Sequence, residues 1–343
     1  MSEPPSDPQK PGAAISGGVR KRRLVLAGRF AVWLLVLACV VFFARGLHWS
    51  TVRAAFASAD RRLALIALLA GLPCTLLQGL RWFWLVRAVD KASPLTVLAA
   101  TYVGAAASAV LPMRAGEAVR VELLSRATGL SRAVSFGTIA IDHTVNGTVM
   151  FLFAAALPLL LPVPLWLTLL VWGGVVFAVA LVVIMLRLGK LPGDRSSGAI
   201  RPGLGGRVDD VIHRLRGGLV GLRNPRAFLP SALSSASAWA LEIYVTMLAL
   251  EAFRLPHDLP HAMGVLFGVN LAQVIPAPPA NLGNFELGAS MALIAFGGSS
   301  EHAAAFALGF HAMQLVPTLL GGAIFLPLFR PARLAAAQAA RLG

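Results

Sequence analysis

Long apolar stretches without charge are the feature that most restricts how this chain can fold. The 43 residues of 144–186 include no Asp, Glu, Lys or Arg. Similar runs cover 63–80 and 95–113, and 303–329 carries His311 as its one ionisable side chain. A helix that crosses a bilayer needs about 20 mostly apolar residues, and these runs are apolar all round the helix. The chain is therefore predicted to be an all-α, polytopic integral membrane helix bundle.

The composition and the charge distribution agree with a membrane protein. The chain is 57% hydrophobic and 13% charged, whereas soluble domains carry about 25% charged residues. The net charge of +15 does not indicate nucleic acid, because a nucleic-acid-binding domain needs a contiguous basic soluble module. Here the basic residues lie between apolar runs, as the positive-inside rule expects. No nucleic-acid partner is predicted.

Six full spans and two shorter, interrupted segments are predicted. The spans lie at about 24–44, 63–86, 133–158, 165–186, 228–250 and 303–329. The segment 95–111 ends at Pro112, and the segment 261–275 ends at Pro276 before a further apolar helix at 284–297. Proline removes a backbone donor and breaks regular helix at these points.

Basic segments set the predicted orientation. Residues 1–23 form a disordered, basic N-terminus whose arginines precede a retained signal anchor. With the basic loop 187–226 and the tail 330–343, it is predicted to face the cytoplasm of a plasma or inner membrane. These placements agree with one another only if each interrupted segment enters and leaves the membrane on the same side. The arginines of the outer loop 45–62 are an exception to the positive-inside rule.

This layout predicts two inverted-topology repeats, each with a broken re-entrant hairpin. Residues 24–158 read span, span, broken hairpin, span, and residues 165–329 repeat that order in the opposite orientation. Transporters with this pattern bind their substrates where the broken segments meet near the midplane. Non-helical backbone at that depth is tolerated only within protein or beside a water-filled cavity. The alternative is a pair of proline-kinked helices without a cavity.

The first interrupted segment carries candidate binding residues at 111–120. Gly116 is expected to permit a tight turn, and Glu117 suits the N-terminus of a restarting helix. Arg114 and Arg120 are candidates for a phosphate clamp, since the guanidinium fork matches phosphate oxygens. The alternative is a cytoplasmic loop with solvated charges.

The second interrupted segment carries another set of candidates. Prolines, a glycine and two asparagines break the helix, and backbone N–H groups of the restarting helix suit an anionic headgroup. Glu286 lies in apolar sequence, where an acid usually faces a cavity or a partner. The candidate binding residues here are Asn281, Gly283, Asn284 and Glu286. The alternative for Glu286 is a purely structural role.

Ionisable residues inside the other apolar helices need partners. Asp142 and His143 interrupt one span, Glu242 interrupts another, and Arg81 lies near the inner end of the second span. Asp142 and His143 are included in the candidate substrate site, and Arg81 and Glu242 are predicted to be charge partners. Plain charge pairing between helices is the alternative for all of them, and a proton-linked role is open for Asp142, His143 or Glu286.

The motifs Leu-Pro-x-Arg-x-Gly-Glu-x-x-Arg at 111–120 and Pro-x-x-Leu-Gly-x-x-Glu at 279–286, with Asp142 between them, resemble one known family. It is the flippase-like transmembrane region of lysylphosphatidylglycerol synthases, with its stand-alone relatives. The resemblance covers about 24–329 and implies two inverted halves that pass an aminoacylated phospholipid between leaflets. It implies family motif positions at Pro112, Arg114, Gly116, Glu117, Arg120, Asp142, Pro279, Gly283 and Glu286. The chain departs from the family pattern at His143, where Arg is frequent, and at Ala280-Asn281, where Gly-Gly is usual.

A lipid flippase or transporter is therefore the leading hypothesis, with a partner that is a membrane lipid bearing an anionic or phosphate headgroup. No soluble aminoacyl-transferring domain follows the membrane part, so lysylphosphatidylglycerol synthesis is not expected. No G-x-x-x-x-G-K-[ST], H-E-x-x-H or G-x-S-x-G motif occurs, and no catalytic residue, cofactor or metal is predicted. The alternatives are an enzyme acting on lipid-linked substrates and a non-transporting partner subunit of an envelope-biosynthesis enzyme.

Overall fold

The computed structural model describes Arg45 and residues 49–111, 115–160, 163, 165–188, 217–274 and 279–330. The chain divides into two compact units, Met1–Gly46 and Leu47–Gly343. Apart from Arg45, everything described below belongs to the second unit. The predicted first span at 24–44, the N-terminus 1–23, most of the loop 187–226 and the tail after Arg330 lie outside the described residues.

The regular structure of the described residues is helical, with no strand among them. The helices are α1 Trp49–Ser58, α2 Arg61–Arg87, α3 Pro94–Val110, α4 Gly116–Thr128, α5 Arg132–Ala154, α6 Leu157–Leu160, α7 Leu165–Leu188, α8 Val220–Arg223, α9 Pro225–Ala252, α10 Leu259–Ala272, α11 Asn284–Ala295 and α12 Ser300–Phe325. Short 3-10 turns lie at Pro279–Asn281 and Leu326–Phe329.

Five of the six predicted spans are confirmed as helices long and apolar enough to cross a membrane. They are α2, α5 together with α6, α7, α9, and α12 together with the 3-10 turn after it. The outward faces of these helices are rich in exposed large hydrophobic side chains, for example Leu169, Val176 and Phe177 on α7. Such a surface is stable against lipid and unfavourable against water.

The segment 45–62, predicted as an outer loop between spans, contains a helix that was not predicted from the sequence. Helix α1 occupies its centre and buries Val52 and Ala55. Asp60 then caps α2, because its carboxylate accepts hydrogen bonds from the backbone N–H groups of Arg62 at 2.8 Å and Leu63 at 3.1 Å. The turn between α1 and α2 contacts the end of α9, because the N–H of Asp60 donates a hydrogen bond to the carbonyl of Ala252 at 2.8 Å.

Two helical hairpins stand beside the five long helices. Helices α3 and α4 pack against each other, as do α10 and α11. Their lengths of 17, 13, 14 and 12 residues fall below the roughly 20 that a full crossing needs. Helix stops at Val110 and restarts at Gly116, and it stops at Ala272 and restarts at Asn284. Both predicted interruptions of the helix are therefore present.

Each hairpin closes through a pair of facing glycines. A Cβ on Gly116 would collide with the carbonyl oxygen of Gly104, and a Cβ on Gly288 would collide with the carbonyl oxygen of Gly268. Small residues allow backbones to approach this closely in membrane helices. Gly116 is not among the residues with positive φ. It is needed for close helix packing. The tight turn predicted there stays a prediction, since residues 112–114 lie outside the described residues.

An exposed ion cluster joins α4 to α5. Glu122 accepts hydrogen bonds from Arg126 Nε and Arg132 Nε, both at 2.6 Å. The hydrogen bond from Arg132, followed by that from Arg126, lowers the pKa of Glu122 to about 2.

Candidate functional site

A polar cavity of about 330 Å³ lies between the two hairpins and the long helices. Its volume is at the lower end of ordinary ligand sites, which span roughly 300–1,000 Å³. Side chains from α2, α3, α4, α5, α9, α10, α11 and α12 line it, together with the turn Pro279–Asn281. Its ionisable lining side chains are Arg81, Glu117, Arg120, His143, Glu242 and His311.

Asp142 is the centre of a buried ion network behind one wall of the cavity. Its side chain is fully buried. Arg81 donates to it twice, from Nε at 2.7 Å and from Nη2 at 3.3 Å, and Arg120 Nη2 donates at 3.3 Å. A buried carboxylate with two cations is stable only while all its partners remain in place. Asp142 therefore fixes α2, α4 and α5 relative to one another.

Arg120 is held on three sides. Besides Asp142, it donates from Nη1 to Glu117 Oε2 at 3.1 Å. Its guanidinium lies over the ring of Trp82, 4.2 Å from the centroid, a favourable cation–π arrangement. The Trp82 indole is fixed in turn by a 3.0 Å hydrogen bond to Thr138 Oγ1. Arg120 thus reaches the cavity already engaged with two carboxylates.

Asn146 is a cavity residue that the sequence did not single out. Its Oδ1 accepts from Arg81 Nη1 at 2.6 Å and from Trp239 Nε1 at 3.1 Å. Because both neighbours are donors, the amide oxygen must face them and the amide NH₂ is left to face the cavity. Asn146 lies four residues after Asp142, on the same helix face, and this spacing is the signal that would have found it.

Glu117 and His143 form a half-exposed pair at the cavity wall. His143 Nε2 lies 3.2 Å from Glu117 Oε1, and their side chains are 47% and 31% exposed. With Nε2–H donating to the carboxylate, the Nδ1 atom of a neutral His143 is left as an acceptor. Glu117 therefore joins two cationic or potentially cationic groups, Arg120 and His143.

Glu286 forms the corresponding pair on the other side, but it is buried and does not line the cavity. Its Oε2 accepts from the N–H of Gly283 at 2.7 Å and so caps α11. Its Oε1 accepts from His311 Nδ1 at 2.6 Å. The His311 ring stacks on Phe285, with 4.2 Å between centroids. His311 lines the cavity in place of Glu286, and Glu286 holds it there.

Glu242 faces the cavity with neutral partners. Gln314 Nε2 donates to Glu242 Oε2 at 3.0 Å, and the Cys74 thiol lies on its other side. Within the described residues, Arg81 pairs with Asp142 and not with Glu242. Gln314 and His311 are three residues apart on α12 and therefore lie on the same helix face. This spacing of polar residues within an apolar helix is the sequence feature that could have predicted this part of the site.

The turn before α11 holds strained backbone. Ala280 and Asn281 have positive φ values of 58° and 55°, and Gly283 has a φ of 86°. Left-handed backbone costs a residue other than glycine about 1–2 kcal/mol. Ala280 and Asn281 both line the cavity, and this geometry accounts for the Gly-Gly that the resemblance leads one to expect at these two positions.

The substitution Ala280→Gly is expected to raise the free energy of unfolding by about 1 kcal/mol, because it removes this left-handed strain. Unfolding in detergent micelles, followed by tryptophan fluorescence, measures the change. Ala240→Gly is the matched control: Ala240 is exposed in the interior of α9, and the same substitution there is expected to cost about 1 kcal/mol. Equal shifts in the same direction would contradict the strained turn.

The predicted candidates are distributed unequally around the cavity. Glu117, Arg120, His143 and Asn281 line it, together with the predicted charge partners Arg81 and Glu242. Asp142, Gly283 and Glu286 stand behind that lining as supports, and Asn284 donates from Nδ2 to the carbonyl of Ala272 at 3.2 Å, bridging the two arms of the second hairpin. Gly116 packs α4 on α3. Arg114 lies outside the described residues.

Within the described residues, five helices able to cross a membrane, two short hairpins and a charged cavity between them define an α-helical integral membrane protein with an internal polar site. The family model described as "Lysylphosphatidylglycerol synthase TM region" matches residues 25–322. The chain belongs to this family of membrane-lipid-related proteins. A comparison with curated proteins finds no match.

Proposed function

We propose that this protein moves a phospholipid or lipid-linked molecule between the leaflets of the cell membrane, with the headgroup passing through the polar cavity. One observation carries the proposal: a charged cavity of about 330 Å³ is lined by helices whose outer faces are apolar. The volume suits a headgroup, and the acyl chains remain in the membrane beside the protein. The polar lining replaces the water that a headgroup loses on entering the membrane.

The two hairpins are the elements through which we propose that the site opens. Each has arms too short for a full crossing and a break beside the cavity. We propose that 94–128 and 259–295 re-enter from opposite sides as parts of inverted repeats, with the N- and C-termini in the cytoplasm. Rocking of one repeat against the other then exposes the same site to each leaflet in turn.

Headgroup recognition is assigned to the wall formed by α2, α4 and α5. Arg81 and Arg120 supply guanidinium groups that match phosphate oxygens, and the Asn146 amide adds a neutral donor. On the opposite wall, His311 and Glu242 face the same space. We propose an anionic or phosphate-bearing lipid as the partner and no catalytic step, since the chemistry needed is binding and release.

The test is leaflet exchange of fluorescent phospholipids in liposomes that contain the purified full chain. Ala105 lines the cavity from α3, so Ala105→Trp fills the space and is expected to reduce exchange to the rate of protein-free liposomes. Ala240→Trp adds the same side chain at an exposed position of α9 and is expected to keep the wild-type rate. Size-exclusion chromatography in detergent checks that both variants are folded.

Two outcomes would overturn the proposal. Undiminished exchange by Ala105→Trp would show that the cavity is not the path. Absence of exchange by the wild-type chain with anionic, zwitterionic and polyprenyl-linked probes would exclude lipid movement by this protein.

A further inference from the structure

The described groups of the cavity provide no spare positive charge when His143 is neutral. Arg81 and Arg120 are matched by the two carboxylates they bind, Asp142 and Glu117. Glu242 adds no positive charge in either protonation state. An anionic headgroup entering this set therefore lacks a counter-charge among the described residues, and an unpaired charge at this depth is costly.

The second acid–histidine pair does not supply the missing charge. Glu286 is 2% exposed, and its partners are the Gly283 N–H and His311. A buried carboxylate needs a counter-charge or a proton. A positive charge on His311 would therefore be offset by the Glu286 carboxylate 2.6 Å away, and the pair would have none to spare for a headgroup.

Among the described cavity residues, His143 is the group able to provide an additional positive charge. It lines the cavity, it is half-exposed, and Glu117 Oε1 lies 3.2 Å from its Nε2. Proton uptake at Nδ1 gives an imidazolium that keeps its bond to Glu117 and adds one positive charge beside the arginines. Histidine is the side chain whose charge ordinarily changes between about pH 5 and 8.

We propose that His143 takes up a proton when an anionic headgroup enters the cavity, so that the headgroup and the proton cross together; this inference rests on the proposed function. The proton comes from water on the side to which the cavity is open, binds Nδ1 of His143, and leaves to water on the other side as the headgroup departs. No covalent bond to the headgroup forms or breaks.

The surroundings of His143 and His311 contain few other titratable groups. From α2 comes Arg81, from α4 come Glu117 and Arg120, from α5 itself comes Asp142, from α9 comes Glu242, and from α11 comes Glu286, which is bound to His311. The described cavity-lining residues of α3, α10 and the turn Pro279–Asn281 include no ionisable side chain. A response between about pH 5 and 8 therefore points to a histidine of this cavity.

The test measures exchange of fluorescent phosphatidylglycerol at equal pH on both sides of the liposome. The wild-type exchange rate is expected to be high at low pH. At the alkaline end it is expected to fall about tenfold for each pH unit. His143→Arg, a permanent cation, is expected to remain active and lose the pH dependence. His143→Gln is expected to be slow at every pH. His257→Gln, at an exposed histidine outside the cavity, is expected to behave as wild type.

A second measurement separates this inference from the proposed function. Calorimetric titration of the detergent-solubilised chain with short-chain phosphatidylglycerol, in buffers of different ionisation enthalpy, is expected to show about one proton taken up per lipid bound at neutral pH. His143→Gln is expected to show none. Proton-linked binding without leaflet exchange would retain proton uptake by His143 on headgroup binding and would reject the flippase, together with the joint crossing of headgroup and proton.

The inference is overturned by any of three results. These are wild-type exchange that does not vary with pH, a pH dependence that persists in His143→Gln, and binding of the short-chain probe without proton uptake. A persistent pH dependence in that variant would instead point to the Glu286–His311 pair.

Discussion

Asp142→Asn is expected to lower the free energy of unfolding by about 3–5 kcal/mol, because it leaves two buried guanidinium groups without their shared counter-charge. Arg81 would keep its hydrogen bond to Asn146, and Arg120 would keep its cation–π contact with Trp82. Both would lose the carboxylate between them. Chemical unfolding in detergent micelles, followed by tryptophan fluorescence, measures the loss.

Glu122→Gln is the matched control for this prediction. Glu122 also accepts hydrogen bonds from two arginines, Arg126 and Arg132, but those side chains are 63% and 72% exposed. Exposed ion pairs contribute little because water and salt screen them, so no change in the unfolding midpoint is expected. Equal losses in the two variants would mean that burial does not set the strength of the Asp142 network.

A double variant keeps the prediction testable if Asp142→Asn alone does not fold. Arg81→Gln combined with Asp142→Asn removes one cation with the anion and restores the charge balance of the network. The double variant is expected to be more stable than Asp142→Asn, which is the signature of coupled residues. A double variant less stable than the single one would contradict charge imbalance as the cause.

Gly116→Val and Gly288→Val are each expected to cost about 1–3 kcal/mol, since the added side chains collide with backbone and not with flexible side-chain ends. In the first hairpin the obstacle is Gly104, and in the second it is Gly268. Each hairpin must open, which displaces the cavity wall next to it. Thermal unfolding in detergent, together with leaflet exchange, measures both consequences.

Gly71→Val provides the control for the glycine pairs. Gly71 lies inside α2 with nothing within 4 Å of a Cβ placed on it, and valine is a better helix former than glycine. No loss of stability is expected. If Gly116→Val and Gly71→Val unfold at the same temperature, the close contact between α3 and α4 does not hold the hairpin.

The charged residues show how far sequence reasoning reached into the site. Ionisable side chains stranded in apolar helices had to find partners, and pairing of Asp142 with arginine was an expected alternative. The choice of partner was not predictable, because Arg81 is 61 residues from Asp142 along the chain. Glu286 was expected to face a ligand or a partner, and the structure gives it His311 and its own helix N-terminus.

Other residues of the site had weaker signals. Asn146 and Gln314 are uncharged, so neither costs enough in an apolar helix to demand a partner. Only their spacing from Asp142 and His311 marks them, and that spacing becomes meaningful once both helices are known to face one cavity. The binding roles predicted for Glu117, Arg120 and His143 stay predictions until exchange is measured.

By itself, the sequence determined the membrane class, five described helices that are long and apolar enough to cross a bilayer, and the two places where helix is interrupted. These follow from local physical chemistry: apolar length sets a span, and proline and glycine end it. Only the tertiary structure decided that Glu286 stands behind His311, that Gly116 serves close packing, and that both hairpins border one cavity. Those outcomes depend on contacts between residues far apart in the chain, and local sequence patterns do not predict such contacts.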